Sequence, residues 1–131
     1  MKRLSDYTTD LRTELFSECG AFFALNVEQL KKHKKQNVKY VLLADSLICD
    51  KRYKQKLING LSEIQARSIK KDIKENSVKD IIWRELANYE SQITMDITDT
   101  VEALKPYNIT KERILQEWKE YFQSCKDNDY F

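Results

Sequence analysis

Lysines and arginines crowd one part of this sequence, carboxylates another, and three cysteines stand apart. Each set could in principle do chemistry. The cations are Lys31, Lys32, Lys34, Lys35 and Lys39, then Lys51, Arg52, Lys54 and Lys56, then Arg67, Lys70, Lys71 and Lys74. Residues 31–74 hold 13 Lys/Arg against 4 Asp/Glu, a local charge of +9, whereas residues 1–30 sum to −2 and residues 75–131 to −5. A surface of that density attracts phosphate, or an acidic patch on a protein. Lysine dominates the set, and lysine is a point charge that reads no base edge. Contact with RNA would therefore follow the backbone, with Tyr40 or Tyr53 as stacking groups. The plainer account is a long amphipathic helix whose solvated face is rich in lysine. Solvent, nucleic acid and protein all remain open as what meets these charges.

The carboxylates Glu85, Glu90, Asp96 and Asp99 are dense enough to hold a divalent cation or to form an acidic interface. The glycine-containing calcium loop is missing, as is a matching base or nucleophile, so a surface role is the better expectation. Cys19, Cys49 and Cys125 are odd in number and 30 and 76 residues apart, which fits neither a disulfide framework nor a zinc knuckle. They are expected to be reduced and mostly buried. His33 is the single histidine and stands among lysines, a poor setting for a general base. Gly20 and Gly60 are too far apart for a phosphate loop, and zinc-protease and nucleophile-elbow spacings are absent. Glu117-Trp118-Lys119 spells the carboxylate-x-lysine of some metal-dependent nucleases, but in a helical pattern rather than a strand. The expectation is no enzyme, no metal and no cofactor.

The elements that must position these residues follow from periodicity. The chain has 131 residues with a net charge of +2, 41% hydrophobic and 34% charged residues, two glycines and one proline. That is one domain of long regular elements rather than a turn-rich sandwich. Leu4, Tyr7, Leu11 and Leu15-Phe16 mark a first helix, ended by Gly20. Ala21–Leu25 reads as a short buried strand, and Asn26 with Gln29 as the capping box of a helix that ends in lysines. Val38–Leu43 and Leu47–Cys49 read as strands joined by a tight turn.

Tyr53, Leu57, Leu61, Ile64, Ile69 and Ile73 predict a long helix, with Gly60 marking a close contact or a bend. Asn76-Ser77 breaks it. Ser77 with Asp80 opens a helix faced by Val78, Ile81, Ile82, Leu86 and Tyr89, on which Trp83 and Tyr89 are core residues or interface anchors. Ile93–Met95 reads as an extended link. Asp99 with Glu102 starts a brief helix ended by Pro106, and Thr110 caps the last helix, striped by Ile114, Leu115, Trp118, Tyr121, Phe122 and Cys125. The fold expected is α+β and mostly helical, with five to six helices and a sheet of two or three strands near residues 21–25, 38–43 and 47–49. Residues 1–131 read as one domain, of which 126–131 are a loose tail unless Tyr130-Phe131 dock. No signal peptide or membrane span is visible, so a cytoplasmic protein is expected.

Two short motifs, Gly20-Ala21-Phe22-Phe23-Ala24-Leu25-Asn26 and Glu85-Leu86-Ala87-Asn88-Tyr89-Glu90, resemble a family of small uncharacterised proteins from phages and mobile elements of the Bacteroidota. The likeness spans roughly residues 15 to 105. Where that family carries a glycine-rich turn after its second strand, this chain has Leu43-Ala44-Asp45-Ser46, and Tyr89 replaces a histidine. In size and character the chain is also similar to anti-CRISPR proteins acting on the type VI-B RNA-guided RNase. That resemblance implies a non-enzymatic counter-defence protein that binds the effector or its guide RNA through the basic surface. The alternative is a small RNA-binding or regulatory protein of a mobile element. The partners implied are an RNA-guided nuclease effector and RNA, with no membrane.

Overall fold

The structure is a computed structural model that describes all 131 residues. It is α+β and mostly helical, with seven α-helices and one small three-stranded antiparallel sheet. Contacts gather into two compact units, Leu4–Ser68 and Ile69–Phe131 with Met1–Arg3. The helix Lys54–Glu75 contributes to both.

In the first unit, α1 (Leu4–Glu18) ends at Gly20, whose φ of +59° is the left-handed conformation expected of it. β1 is only Phe22–Phe23, shorter than the expected buried strand. After Ala24, whose amide still donates to the Ser46 carbonyl, the chain leaves the sheet. Leu25 is then 78% exposed, and its amide donates to Gln29 Oε1 at 2.6 Å while Asn26 Oδ1 accepts from the Gln29 amide at 2.9 Å. This paired cap opens α2 (Val27–His33).

β2 (Tyr40–Ala44) and β3 (Leu47–Asp50) form a hairpin, and β1 pairs on the far side of β3, so the strand order is β1-β3-β2. Asp45 holds the turn at φ +49°, the position a glycine would occupy. The register pairs Tyr40 with Asp50, Leu42 with Ile48, and Ile48 with Phe22. Alternation then separates two faces. Val41, Leu43, Leu47 and Cys49 turn inward onto Leu15, Cys19, Leu57 and Ile64, while Phe22, Tyr40, Leu42 and Ile48 share the other face.

A 3₁₀ turn over Lys51–Tyr53 leads into α3 (Lys54–Glu75). Gly60 is a close contact: a Cβ there would lie 2.7 Å from a Leu15 methyl. Leu11 is 38% exposed, so the inward stripe of α1 is narrower than its apolar spacing suggests.

In the second unit, α4 (Val78–Asn88) packs against α5 (Ser91–Thr94), α6 (Thr98–Leu104) and α7 (Lys111–Asp127). Ser77 caps α4 and Thr110 caps α7, as expected. Expectation and structure part at two points here. The Ile93–Met95 segment lies mostly in the helical turn α5, bounded by left-handed residues at Glu90 and Met95. The brief helix is where Asp99 and Glu102 place it, with Asp99 in its first turn, and just before it Asp96 Oδ1 accepts from the Thr98 amide at 2.9 Å and hydroxyl at 2.6 Å. The end of the chain is tied down: α7 runs to Asp127, the Tyr130 amide donates to the Cys125 carbonyl at 3.0 Å, and the Phe131 ring meets Phe122 edge-on. Asp129 at φ +57° makes that reversal. On α7 the buried stripe is Ile114, Glu117, Tyr121 and Cys125, with Leu115 outside it.

A charged network forms the polar centre of this unit. Asp72 is fully buried and accepts from Tyr107 Oη at 2.6 Å, from Arg84 at 2.9–3.0 Å and from Asn76 at 2.9 Å. Arg84 also holds Glu85 at 2.9 Å and the Lys2 carbonyl at 3.1 Å. Burial alone would raise the Asp72 carboxyl, but the hydrogen bonds from Arg84, Tyr107 and Asn76 outweigh it and hold it below its ordinary value. Burial and Asp72 together push the Tyr107 phenol up.

Candidate nucleic-acid interface

The outer face of the sheet is where rings and cations meet. α2 lies beside it and brings His33 to 5.2 Å from the Phe22 ring, and Tyr40 meets Phe22 edge-on at 5.5 Å. Three rings from three elements thus stand in a row on one face. Three adjoining hollows open beside them, of about 370, 520 and 570 Å³, and Val38 borders all three. Lys35 and Arg52 line the first, Lys34, Lys39 and Lys51 the second, and Lys39, Lys51 and Arg52 the third.

Backbone hydrogen bonds fix these cations relative to one another. The Lys51 amide donates to the Lys39 carbonyl at 2.9 Å, so two lysines 12 positions apart in sequence sit side by side. The Lys35 amide donates to Tyr40 Oη at 3.0 Å, which ties the loop after α2 to a ring of the sheet. Lys34, Lys35, Lys39 and Lys51 are exposed and make no ion pair.

Arg52 differs. Its Nη2 meets Asp50 Oδ2 at 2.7 Å and its Nε reaches both carboxylate oxygens, while Nη1 takes no part. The Arg52 hydrogen bonds hold the Asp50 carboxyl below its ordinary range. The Arg52 guanidinium also stands 5.3 Å over the Tyr53 ring.

All 13 basic residues singled out in the sequence are exposed, but the fold gathers only some of them. Lys34, Lys35, Lys39, Lys51 and Arg52 surround the hollows. Lys31 and Lys32 lie on α2, Lys54 and Lys56 open α3, and none of these four lines a hollow. Lys56 pairs with Glu18 at 3.4 Å. Arg67, Lys70, Lys71 and Lys74 follow one stripe further along α3, at spacings of three and four, the last three in the second unit.

The four carboxylates are used separately. Glu85 binds Arg84, Asp96 accepts from Thr98 in the turn before α6, Glu90 sits at a left-handed turn, and Asp99 lies in the first turn of α6. No group of three or more His, Cys, Asp or Glu is placed to hold a metal ion. Cys19, Cys49 and Cys125 are free and buried, and burial pushes the Cys19 and Cys49 thiols up. Trp83 donates to Glu117 at 3.1 Å and packs edge-on against Tyr121, a core role, whereas Tyr89 is 37% exposed. No helix is long and apolar enough to cross a membrane.

Sequence reasoning missed Phe22 and His33 as part of this face. Phe22 stands in an unbroken apolar run that gives no hint of a half-open side. His33 stands among lysines in the sequence, and its ring contact depends on how α2 folds back over β1.

The fold and site together define a small helical protein carrying a three-stranded sheet whose outer face is aromatic and rimmed by unpaired lysines. The chain belongs to a family of unknown function, DUF7659, which matches it over residues 4–124. No curated protein and no solved structure matches it.

Proposed function

We propose that this protein is a non-enzymatic binding protein that takes the phosphate backbone of RNA on the outer face of its sheet. The observation that supports this most is the set of four lysines without ion pairs, held around hollows bordered by Phe22, Tyr40 and His33. A merely solvated face needs no fixed geometry. Here the Lys51 amide donates to the Lys39 carbonyl, and the Lys35 amide to the Tyr40 hydroxyl. Cations beside rings suit a strand whose bases are open to stacking.

In its particular form the proposal is counter-defence. A phage or mobile element would use the protein against an RNA-guided RNase of type VI-B, engaging its guide RNA in the cytoplasm of the host. That form requires weak binding to free RNA and tight binding to the assembled effector. The general form, an RNA-binding or regulatory protein of a mobile element, requires free RNA to suffice.

Fluorescence anisotropy of the full chain with labelled single-stranded RNA, beside a pull-down with the effector complex, tests both. A dissociation constant of about 10⁻⁴–10⁻⁶ M for free RNA at physiological salt supports the general form. Tight capture of the effector alone supports the particular one. Binding to neither at low salt removes the proposal.

A further inference from the structure

The smallest of the three hollows differs from the open basic rim in carrying rings, cations and a carboxylate together. Phe22, Tyr40 and Tyr53 line it beside Lys35, Arg52 and Glu18, around about 370 Å³. We propose that this hollow is a subsite for one splayed-out ribonucleotide, a reading that rests on the RNA-binding function proposed above.

The volume lies within the ordinary range of about 300–1,000 Å³ for small-ligand sites. A base drawn from a single strand offers both faces and enters beside Phe22 and Tyr40. A base held in a duplex is stacked and paired, and leaves it only at a cost. Lys35 is unpaired, and Arg52 keeps Nη1 free while its Nε and Nη2 hold Asp50, so both offer donors to the phosphate of that nucleotide. The Asp50 oxygens are occupied by Arg52, which leaves Glu18 as the open acceptor in the wall. Glu18 is tied only to Lys56, at 3.4 Å and with both side chains about half exposed, a weak hold. A ribose 2′-hydroxyl is a donor that deoxyribose lacks. Glu18 therefore gives the subsite a means to prefer RNA over DNA.

The test compares one single-stranded RNA with its duplex and with single-stranded DNA of the same sequence, using the full chain, Tyr40→Leu, Tyr40→Phe and Glu18→Gln. Thermal melts first establish that each variant is folded. Single-stranded RNA is expected to bind about tenfold more tightly than either competitor. Tyr40→Leu should remove about tenfold from the single strand beyond any loss in Tyr40→Phe, which breaks the same hydrogen bond from the Lys35 amide but keeps the ring. Glu18→Gln should narrow the gap between RNA and DNA. Equal affinity for all three ligands, unchanged by any variant, overturns the subsite and leaves the basic rim as the binding surface. Failure to bind any RNA overturns the proposed function itself.

Discussion

Salt dependence offers a sharp test of whether the gathered lysines meet phosphate. Four of them, Lys34, Lys35, Lys39 and Lys51, border the hollows without an ion pair, while the charge of Arg52 is already offset by Asp50. Neutralising four phosphates of a single strand gives a slope of log K against log[salt] of about −0.7 per contact, or about −2.8 in all. Between 50 and 200 mM salt, affinity should then fall about 50-fold. Replacing Lys39 and Lys51 together by alanine leaves two contacts, a slope of about −1.4 and a fall of about sevenfold over the same range. Anisotropy titrations at four or five salt concentrations read both slopes. The control is Arg67→Ala/Lys70→Ala/Lys74→Ala, which removes three charges that line none of the hollows. If that control flattens the slope as much as the Lys39/Lys51 pair, charge acts diffusely and the gathered geometry has no special role. If the Lys39/Lys51 pair leaves the slope unchanged, the site lies elsewhere.

Three further outcomes test the framework that carries the site. Arg84→Met leaves the fully buried Asp72 without its charged partner and should cost about 3–5 kcal/mol, measured by urea denaturation; a loss under 1 kcal/mol would contradict the network. Because the folded Asp72 carboxyl is held below its unfolded value, its contribution is complete above about pH 4 and is lost as pH falls through the folded value, so acid titration of wild type and Asp72→Asn should converge at low pH. Gly60→Ala should destabilise by about 1 kcal/mol despite alanine's better helix propensity, since its Cβ would press on Leu15, and a rise in melting temperature would show that Leu15 yields freely.

Local chemistry made much of the fold legible. Gly20, Asn26, Ser77 and Thr110 each mark a boundary by a conformation or hydrogen bond that depends on a few neighbouring residues. Ile93–Met95 was not legible because its helical turn is secured from outside. Gln92 reaches Tyr121 Oη at 3.1 Å and the Tyr130 carbonyl at 3.3 Å, and both are distant in sequence. The same holds for the docked end of the chain. At the site, the basic residues were visible as a group, but not which of them converge. That depends on the Lys39–Lys51 pairing across the hairpin and on the loop that carries Lys35 to Tyr40. Lys54 and Arg67 are chemically equivalent to the chosen cations and fail to join them only because a helix points them elsewhere.

The charge asymmetry along the chain also changes meaning on folding. The segment charges of +9 and −5 suggest two oppositely charged bodies, but the compact units do not follow those boundaries. Leu4–Ser68 holds 11 Lys/Arg and 8 Asp/Glu, and the remainder 12 and 13, so neither unit is a strong polyelectrolyte. At physiological salt, charges act over about 8 Å, and the relevant quantity becomes the number of unpaired cations within that reach of a bound strand. By that measure Glu85 is offset by Arg84, while Asp96 keeps its full negative charge beside the neutral Thr98. The basic half keeps four open lysines around the hollows beside the sheet. An inhibitor that needs both faces to straddle an effector would have Asp96 rather than Glu85 open for its acidic contact, whereas an RNA-binding protein needs only the lysines gathered around the hollows.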